Sequence, residues 1–519
     1  MPILTSKNIS RIGLSLLSSI LSGILFSLSW PEIGGMTIFI FIAFIPLFYL
    51  AQTTINKNWR PFFLYAFISF LLWHIISNYW MLYSTIIGSI TAWLINSSLM
   101  AGIITLAFFS KSKIKNIPFE IILAFFWLSL EILHLNWELA WPWMNLGNAF
   151  ANHPNWVQWY EYTGIYGGSF WIIIINGAVF RLLKAIQDKK RKPIIFSAIT
   201  FLGIALAPLV FSYTLLNNHI KPNTKLKAAI IQTNFNTYTQ KFDGLTALEQ
   251  SKSIIKQIDE INTIIDLIVL PEAAIPTDID EDLSSYPESI QLILAKSKTK
   301  DTPILASYYS HDSIHNYNTA ALVLDGKISQ IRHKSKLVPF AETLPFESIS
   351  KYLKAIITKE GGIGYSYGRD KEARVFTLNN TDKTKLGTLI CFESIFTDFI
   401  SEMVRNGAQV FIVISNDDWW GNTAGHRQHF AYARLHAIAN RRAIIRAANT
   451  GISGYIDAYG GVLKKSNYRE KTLLVEQIST NDYLTFYSRF EPTIRWVILI
   501  ISFLILSVGI IKARTKRFA

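Results

Sequence analysis

Long apolar runs are the feature that most constrains the fold of this chain. Seven fall in the first part of the chain and an eighth near its end, at about 10–29, 36–52, 61–80, 84–109, 118–135, 165–185, 193–216 and 493–513. Each is close to the ~20 residues with which an α-helix crosses a hydrocarbon core of about 30 Å. Half of the residues are hydrophobic, and the mean hydropathy of +0.27 is too high for an ordinary soluble protein. The pattern predicts about eight transmembrane helices. The first is retained, because no clear small-residue cleavage site follows it.

The basic residues indicate how these helices are oriented. The formal net charge is +14, and Lys and Arg cluster before the first run, after the last run and in alternate loops between them. The other short loops, including the Trp-rich segment 136–163, contain neither residue. The positive-inside rule therefore predicts cytoplasmic termini and places residues 217–492 on the opposite face of the membrane. Since the charge acts as a topology signal, nucleic-acid binding is not predicted.

Residues 217–492 have a different pattern. Short apolar runs such as LKAAIIQTNF, LIVLPEAAIP and AQVFIVISNDDWW end in turn residues, as buried strands do. Helical patterns such as ALEQSKSIIKQIDEINT lie between them. This alternation predicts one α/β domain. The chain thus divides into a transmembrane domain at 1–216, an α/β domain at 217–492 and a last transmembrane helix with a basic tail at 493–519.

Cys391 is the single cysteine of the chain. A free cysteine is most often a small buried hydrophobe. Cys391, however, lies where the predicted strand KLGTLI ends and the amphipathic SIFTDFISEMV begins. Such a strand-to-helix turn resembles a nucleophile elbow, in which the next backbone N–H, here that of Phe392, faces a developing oxyanion.

Two other segments supply partners for a thiol nucleophile. IVLPEAAIP places Glu272 after a strand, and HKSKLVPFAETLPF contains Lys334, Lys336 and Glu342. Singly these signals are weak, because a glutamate at a strand end is usually a solvated turn residue. Glu272, Lys334 and Cys391 in this order nevertheless resemble the Glu–Lys–Cys triad of the nitrilase, or carbon–nitrogen hydrolase, superfamily.

A domain of this kind, inserted before the last of eight membrane spans, resembles the apolipoprotein N-acyltransferase family. The resemblance covers essentially the whole chain and implies an αββα sandwich for residues 217–492. It also implies that this domain is catalytic and lies on the periplasmic side of a bacterial inner membrane. The family pattern K-x-H-L-V-P-F-G-E is KSKLVPFAE here, C-Y-E is CFE, and S-N-D-x-W-F-G is SNDDWWG. The chain departs from the pattern at Lys336 (usually His), Phe392 (usually Tyr) and Arg441 (usually Gly). We expect these departures to tune substrate fit and to leave the triad intact.

The resemblance also implies roles for the triad. Glu272 is the general base that takes the thiol proton. Lys334 and the Phe392 N–H stabilise the oxyanion, and Cys391 carries the acyl group as a thioester. The implied acyl donor is a phospholipid and the implied acceptor is a lipoprotein whose N-terminal cysteine carries a diacylglyceryl group. No metal or organic cofactor is implied.

Other side chains are expected to support the triad. Glu342 and Glu393 would orient Lys334 and the incoming amine. Aromatic candidates for substrate binding are Trp141, Trp143, Phe242, Trp419 and Trp420. The tryptophans of 136–163 can equally form an interfacial aromatic belt or a wall of a lipid-entry cleft. The segment 343–368, which contains GGIGYSYG, is predicted to be a flexible loop.

Two other functions fit parts of the pattern. A membrane-tethered nitrilase or amidase would use the same triad on a small amide, but would not need eight spans. A silent scaffold or transporter would have a decayed triad and functional charges inside its spans. This chain has an intact triad, and its predicted spans are nearly free of charge. The acyltransferase is the function that the sequence favours.

Overall fold

The structure is a computed structural model that describes residues 6–54, 58–189, 191–217, 224–282, 285–346, 348, 366–380 and 382–518. It contains two compact units. The helical unit comprises Met1–Tyr79, Ser89–Leu215 and Phe490–Ala519, and the sandwich unit comprises Trp80–Gly88 and Leu216–Arg489. Most of the predicted flexible loop at 343–368 lies outside the described residues.

The described residues form α-helices in both units, and those of the helical unit are apolar. The α-helices of the described chain are α1 (Ser6–Ser29), α2 (Ile45–Thr54), α3 (Trp59–Ser77), α4 (Ile86–Lys113), α5 (Phe119–Leu133), α6 (Tyr160–Thr163), α7 (Ile165–Gln187), α8 (Arg191–Asn217), α9 (Ala247–Asp259), α10 (Glu288–Thr299), α11 (Thr397–Arg405), α12 (Ala424–Asn440) and α13 (Phe486–Phe518). Within the described ranges, six helices are long and apolar enough to cross a membrane; they lie in α1, α3, α4, α7, α8 and α13.

Two of the predicted spans are shorter than a membrane crossing. The run at 118–135 forms α5, whose 15 residues extend over about 22 Å at 1.5 Å per residue. The run at 36–52 is divided into a 3₁₀ turn, Thr37–Phe41, and α2. The count of eight spans therefore stays a prediction.

Asn176 of α7 binds the backbone where the second run is divided. Its Nδ2 donates to the carbonyl of Ile40 at 2.9 Å, and its Oδ1 accepts from the N–H of Phe44 at 2.9 Å. Backbone groups in an apolar surrounding need such partners, because each unsatisfied group is unfavourable by several kcal/mol. A polar residue inside an apolar helix thus stabilises a break in a neighbouring segment.

The sandwich unit contains two β-sheets in its described residues. Their strands are β1 (Thr224–Gln232), β2 (Leu267–Val269), β3 (Asp278–Asp280), β4 (Ile304–His311), β5 (Asn316–Leu324), β6 (Lys327–His333), β7 (Phe376–Thr377), β8 (Lys385–Ile390), β9 (Val410–Ser415), β10 (Ile444–Ala448), β11 (Gly454–Ile456), β12 (Val462–Lys465) and β13 (Thr472–Thr480). The first sheet has the order β13-β1-β2-β4-β5-β6 with β3 beside β4, and the second has the order β12-β11-β10-β9-β8-β7.

Side-chain alternation along β1 explains how the sheets are packed. Ala228 and Ile230 lie in a core that also contains residues of the second sheet. Ala229 and Ile231 point to the other face, where they pack with α9 and α10. Helices α11 and α12 contact the second sheet. The predicted αββα sandwich is confirmed, and strands buried on both faces explain the continuous apolar runs in the sequence.

Candidate active site

Cys391 follows β8 directly and has a left-handed backbone. Its φ is +50°, a value that a non-glycine residue adopts at about 1–3 kcal/mol and only where the surroundings impose it. A 3₁₀ turn, Cys391–Ile395, leads from the strand toward α11. The carbonyl of Cys391 accepts from Ser394 Oγ at 2.7 Å and lies 3.2 Å from His429 Nε2. The strand-to-helix elbow predicted from the sequence is present.

Lys334 follows β6 and is buried between two carboxylates. Its Nζ lies 3.3 Å from Glu272 Oε1 and 2.7 Å from Glu342 Oε1. Burial alone would lower the pKa of Lys334, but Glu272 and Glu342 outweigh it and hold that pKa well above its ordinary value. Lys334 is therefore a fixed ammonium that can donate to an oxyanion.

Glu272 follows β2 and is held by hydrogen bonds to both carboxylate oxygens. Oε1 accepts from Asn318 Nδ2 at 2.8 Å, and Oε2 accepts from the Asn416 N–H at 2.9 Å. Lys241 Nζ donates to the Glu272 carbonyl at 2.8 Å. Sequence reasoning missed Asn318, Asn416 and Lys241. Asn318 carried no distinct signal, since Asn316 and Thr319 are also polar residues of the same strand.

The thiol of Cys391 is not a pre-formed thiolate. Burial raises its pKa well above the ordinary value, Glu272 raises it further, and Lys334 opposes this. The thiol is thus protonated at neutral pH and needs a base to become nucleophilic. The electrostatic influence of Glu272 and Lys334 on the thiol indicates that the structure brings the three predicted triad residues into one site.

Glu393 binds the segment around Lys334 and not its ammonium in the described residues, and its predicted orienting role stays a prediction. Its fully buried carboxylate forms a two-pronged ion pair with Arg332 of β6, with both N–O distances 2.7 Å. It also accepts from the N–H groups of Ser335 at 2.5 Å and Ile390 at 2.7 Å. Glu393 thereby joins the segment around Lys334 to the end of β8. Its role is to fix the distance between them.

The predicted aromatic residues fall into three groups. Phe242 stacks on Trp419, with ring centroids 5.9 Å apart, in a partly exposed position. Trp420 lies 4.8 Å from the Trp80 ring and 5.5 Å from the His429 ring. In the helical unit, two further predicted residues are buried and stack on each other at 5.5 Å, namely Trp141 and Trp143.

Trp80 is a part of the sandwich unit that the sequence did not indicate. It lies in the loop after α3, in a segment predicted to belong to the membrane domain, and its side chain is fully buried. A Cβ at Gly425 would lie 2.7 Å from the Trp80 ring, so only glycine fits there. Trp80 packs on Trp420, Trp420 on His429, and His429 contacts the Cys391 carbonyl.

Two family models match this chain. The model described as carbon-nitrogen hydrolase matches residues 227–485, and the model described as apolipoprotein N-acyltransferase N-terminal domain matches residues 22–178. A protein of Chlorobaculum tepidum named apolipoprotein N-acyltransferase is 27% identical, over 96% of this chain and 97% of its own length. Apolipoprotein N-acyltransferase 2 of Treponema denticola is 29% identical, over 98% of this chain and 100% of its own length.

The chain belongs to the apolipoprotein N-acyltransferase family. The resemblance inferred from the triad and the membrane spans is thereby confirmed. Among solved structures, Nit3 of Saccharomyces cerevisiae, described as a member of the nitrilase superfamily, is 14% identical with a TM-score of 0.39. It aligns over 52% of this chain and 95% of its own.

The three residues that depart from the apolipoprotein N-acyltransferase pattern each contact an aromatic ring. Arg441 ends α12 in the left-handed region, at φ 49° and ψ 48°, which is why glycine is common there. Its guanidinium lies 4.5 Å from the Tyr459 ring. Lys336 lies over the Phe396 ring at 5.0 Å. The Phe392 ring packs edge-on against Phe396 at 5.0 Å.

His333 precedes Lys334 and joins two acidic residues. Its Nε2 lies 2.9 Å from Glu281 Oε1, and its Nδ1 lies 3.1 Å from Asp370 Oδ1. Burial lowers the pKa of His333, but hydrogen bonds to Asp370 and Glu281 raise it to about 9 overall. The imidazole is thus charged at neutral pH and fixes the end of β6. In the described part of the chain, no group of three or more His, Cys, Asp or Glu is arranged to hold a metal ion.

Proposed function

We propose that this protein transfers an acyl chain from a phospholipid, through a thioester on Cys391, to the α-amine of the N-terminal diacylglyceryl-cysteine of a lipoprotein. The observation that carries the proposal is a buried ammonium, Lys334, held by Glu272 and Glu342 beside a protonated thiol in a left-handed elbow. Relatives named apolipoprotein N-acyltransferase along nearly the whole chain support this choice of substrates.

The first half-reaction forms the thioester. Glu272 takes the thiol proton while Sγ attacks the ester carbonyl of the phospholipid. Lys334 and the Phe392 N–H donate to the oxyanion. When the tetrahedral intermediate collapses, the C–O bond breaks and Glu272 returns the proton to the leaving oxygen. A lysophospholipid departs, and the acyl group stays on Cys391.

The second half-reaction uses the same groups in turn. Glu272 takes a proton from the lipoprotein amine, whose nitrogen attacks the thioester carbonyl. Lys334 again faces the oxyanion, and collapse breaks the C–S bond. The thiolate of Cys391 then regains a proton from Glu272. Glu342 offsets the charge of Lys334, so that this cation stays in place throughout the cycle.

A membrane location suits both substrates. Transfer of an acyl chain from lipid to water is unfavourable by about 0.8 kcal/mol per CH₂, so a site at the bilayer surface avoids extraction of whole chains. The helices that are long and apolar enough to cross a membrane supply such a location. The distribution of basic loops supports the periplasmic side of the inner membrane for the sandwich unit.

Intact-mass spectrometry tests the proposal. Purified protein is incubated with vesicles of one phospholipid and measured beside the Cys391→Ala variant. Wild-type protein should gain one acyl mass that hydroxylamine removes, and the variant should gain none. A diacylated lipopeptide added afterwards should become N-acylated. If neither the adduct nor the acylated lipopeptide forms, the proposal is wrong, and hydrolysis of small amides becomes the activity to assay.

A pair of lysine variants tests which cation faces the oxyanion. Lys334 is buried on two carboxylates, whereas Lys336 is partly exposed and lies over an aromatic ring. Lys334→Ala should slow adduct formation about 10²–10³-fold, as loss of one oxyanion donor does. Lys336→Ala should stay close to wild type. The reverse result would assign the role to Lys336.

A further inference from the structure

Ser415 ends β9 at a position next to Cys391. Strands β8 and β9 are parallel neighbours, and Ile390 is paired with Ile414. The residues that follow this pair are Cys391, directly after β8, and Ser415, the last residue of β9. Ser415 is fully buried at the end of the strand that pairs with β8, and its hydroxyl lowers the pKa of the neighbouring Cys391 thiol. The roles proposed above make no use of this hydroxyl.

In the structure this hydroxyl donates to Asp417 instead. The Ser415 Oγ donates to Asp417 Oδ1. Asp417 Oδ2 accepts from Arg446 Nη2 at 2.7 Å, and its Oδ1 lies 3.1 Å from His429 Nδ1. All four side chains are buried. Burial alone would raise the pKa of Asp417, but Arg446 and then His429 hold it well below its ordinary value. Asp417 is therefore a carboxylate that already has two partners besides Ser415.

A hydroxyl has a single hydrogen to donate. While the thiol is protonated, Asp417 is the negative acceptor near Ser415. Once Glu272 has taken the thiol proton, Sγ becomes a second negative acceptor at the end of the neighbouring strand. Asp417 can release the Ser415 hydrogen at that moment, because Arg446 and His429 remain bound to it.

We propose that Ser415 is a further catalytic residue, whose hydroxyl turns from Asp417 to Sγ of Cys391 each time the thiolate forms. The inference rests on the proposed thioester chemistry. Ser415 keeps its own proton, and the thiol proton goes to Glu272, so the turn moves no proton and breaks no covalent bond. It stabilises the thiolate before attack on the donor and again when the thioester collapses.

Alkylation of Cys391 by iodoacetamide tests the switch without any lipid. Because this is the single cysteine of the chain, the alkylation rate at mildly alkaline pH reports its thiolate alone. Ser415→Ala should react about ten- to a hundredfold more slowly, the loss expected for one hydrogen bond to a charged group. Ser415→Thr keeps the hydroxyl and should react like wild type.

Two further variants separate the switch from a loss of packing. Ser394→Ala removes the other serine hydroxyl on Cys391, which binds its carbonyl and not its thiol, and should not show the Ser415→Ala loss. Asp417→Asn should speed alkylation, because Asp417 raises the pKa of the thiol and competes for the hydroxyl. Thermal unfolding of each variant checks that it is folded.

The outcomes distinguish this inference from the proposed function. Equal slowing in Ser415→Ala and Ser394→Ala, or no slowing in Ser415→Ala, overturns the switch even if wild type forms the acyl adduct. Slowing confined to Ser415→Ala supports the switch even if no phospholipid acylates the protein. In that case the result contradicts the proposed transfer of an acyl chain from phospholipid to Cys391.

Discussion

Glu393→Gln should destabilise the sandwich unit more than any exposed substitution. Glu393 has no exposed surface, and its two oxygens accept four hydrogen bonds, two of them from Arg332. The glutamine amide has a single acceptor oxygen and no charge. The variant therefore leaves the Arg332 guanidinium buried without a counter-charge at this position.

The expected magnitude follows from that geometry. Removal of one partner from a buried ion pair typically lowers the unfolding free energy by about 3–5 kcal/mol. In a domain of roughly this size, 1 kcal/mol shifts the unfolding midpoint by about 2–4 °C. Glu393→Gln should thus unfold roughly 6–20 °C below wild type. Arg332→Met should fall in the same range, because it leaves Glu393 as the buried, unpaired charge.

Cys391 supplies the assay. It is buried and is the single thiol of the chain, so a fluorogenic maleimide that reacts as it becomes exposed reports unfolding around the elbow. The midpoint of this signal along a temperature ramp is compared for wild type, both single variants and the Arg332→Met/Glu393→Gln double variant. The double variant buries no unpaired charge, so its loss should be clearly smaller than the sum of the two single losses.

Two results would refute the reasoning. If Glu393→Gln lowers the midpoint by less than about 3 °C, roughly 1 kcal/mol, the ion pair is not buried as described. If the double variant loses the sum of both single effects, Arg332 and Glu393 do not act as a pair.

Four further substitutions test other parts of the sandwich unit in the same thermal assay. Trp80→Ala should lower the unfolding free energy by about 3–5 kcal/mol, as for other fully buried Trp residues. Gly425→Ala should also lower it. Wild-type midpoints in both variants would show that the loop containing Trp80 is not part of the sandwich unit. The charge on His333 stabilises the folded state fully below its unfolded pKa of about 6.5 and progressively less as pH rises through about 9. Wild type should therefore lose stability over that interval and His333→Gln should lose less, whereas parallel curves would contradict the assignment. Arg441→Gly should lower stability, because it removes a fully buried side chain that contacts the Tyr459 ring and donates to the Ala458 carbonyl. Relief of the left-handed backbone offsets only about 1–2 kcal/mol of that loss; an unchanged midpoint would mean that these contacts contribute nothing.

Part of the site could be predicted because it depends on local pattern. Glu272 and Cys391 each follow a short apolar run, whose end is where a sheet presents side chains, and Lys334 precedes an apolar turn. Cys391 also lies between a strand and an amphipathic helix, which is a local signal for an elbow. The structure brings the three residues together, while their catalytic roles and the periplasmic side remain predictions. The division into an apolar helical part and an α/β part followed from hydropathy alone.

Other features depend on contacts between distant segments and left no pattern in the sequence. Glu393 is beside Cys391 in the chain, which suggested a role at the site, yet its partner is Arg332 on another strand. Asn176 explains a broken helix far from itself in sequence. In both cases the partner of a buried polar group is a residue that is near it only in the folded chain.

The sequence by itself therefore determined the composition of the layers and the positions of the strand ends, because hydrophobic periodicity is a local property. The tertiary structure alone decided which buried polar groups meet. Desolvation makes an unpaired charge costly, so the fold must join Arg332 to Glu393 and Arg446 to Asp417. No spacing along the chain encodes those pairs, since the first joins segments of the two packed sheets and the second joins one strand to the turn after its neighbour in the same sheet.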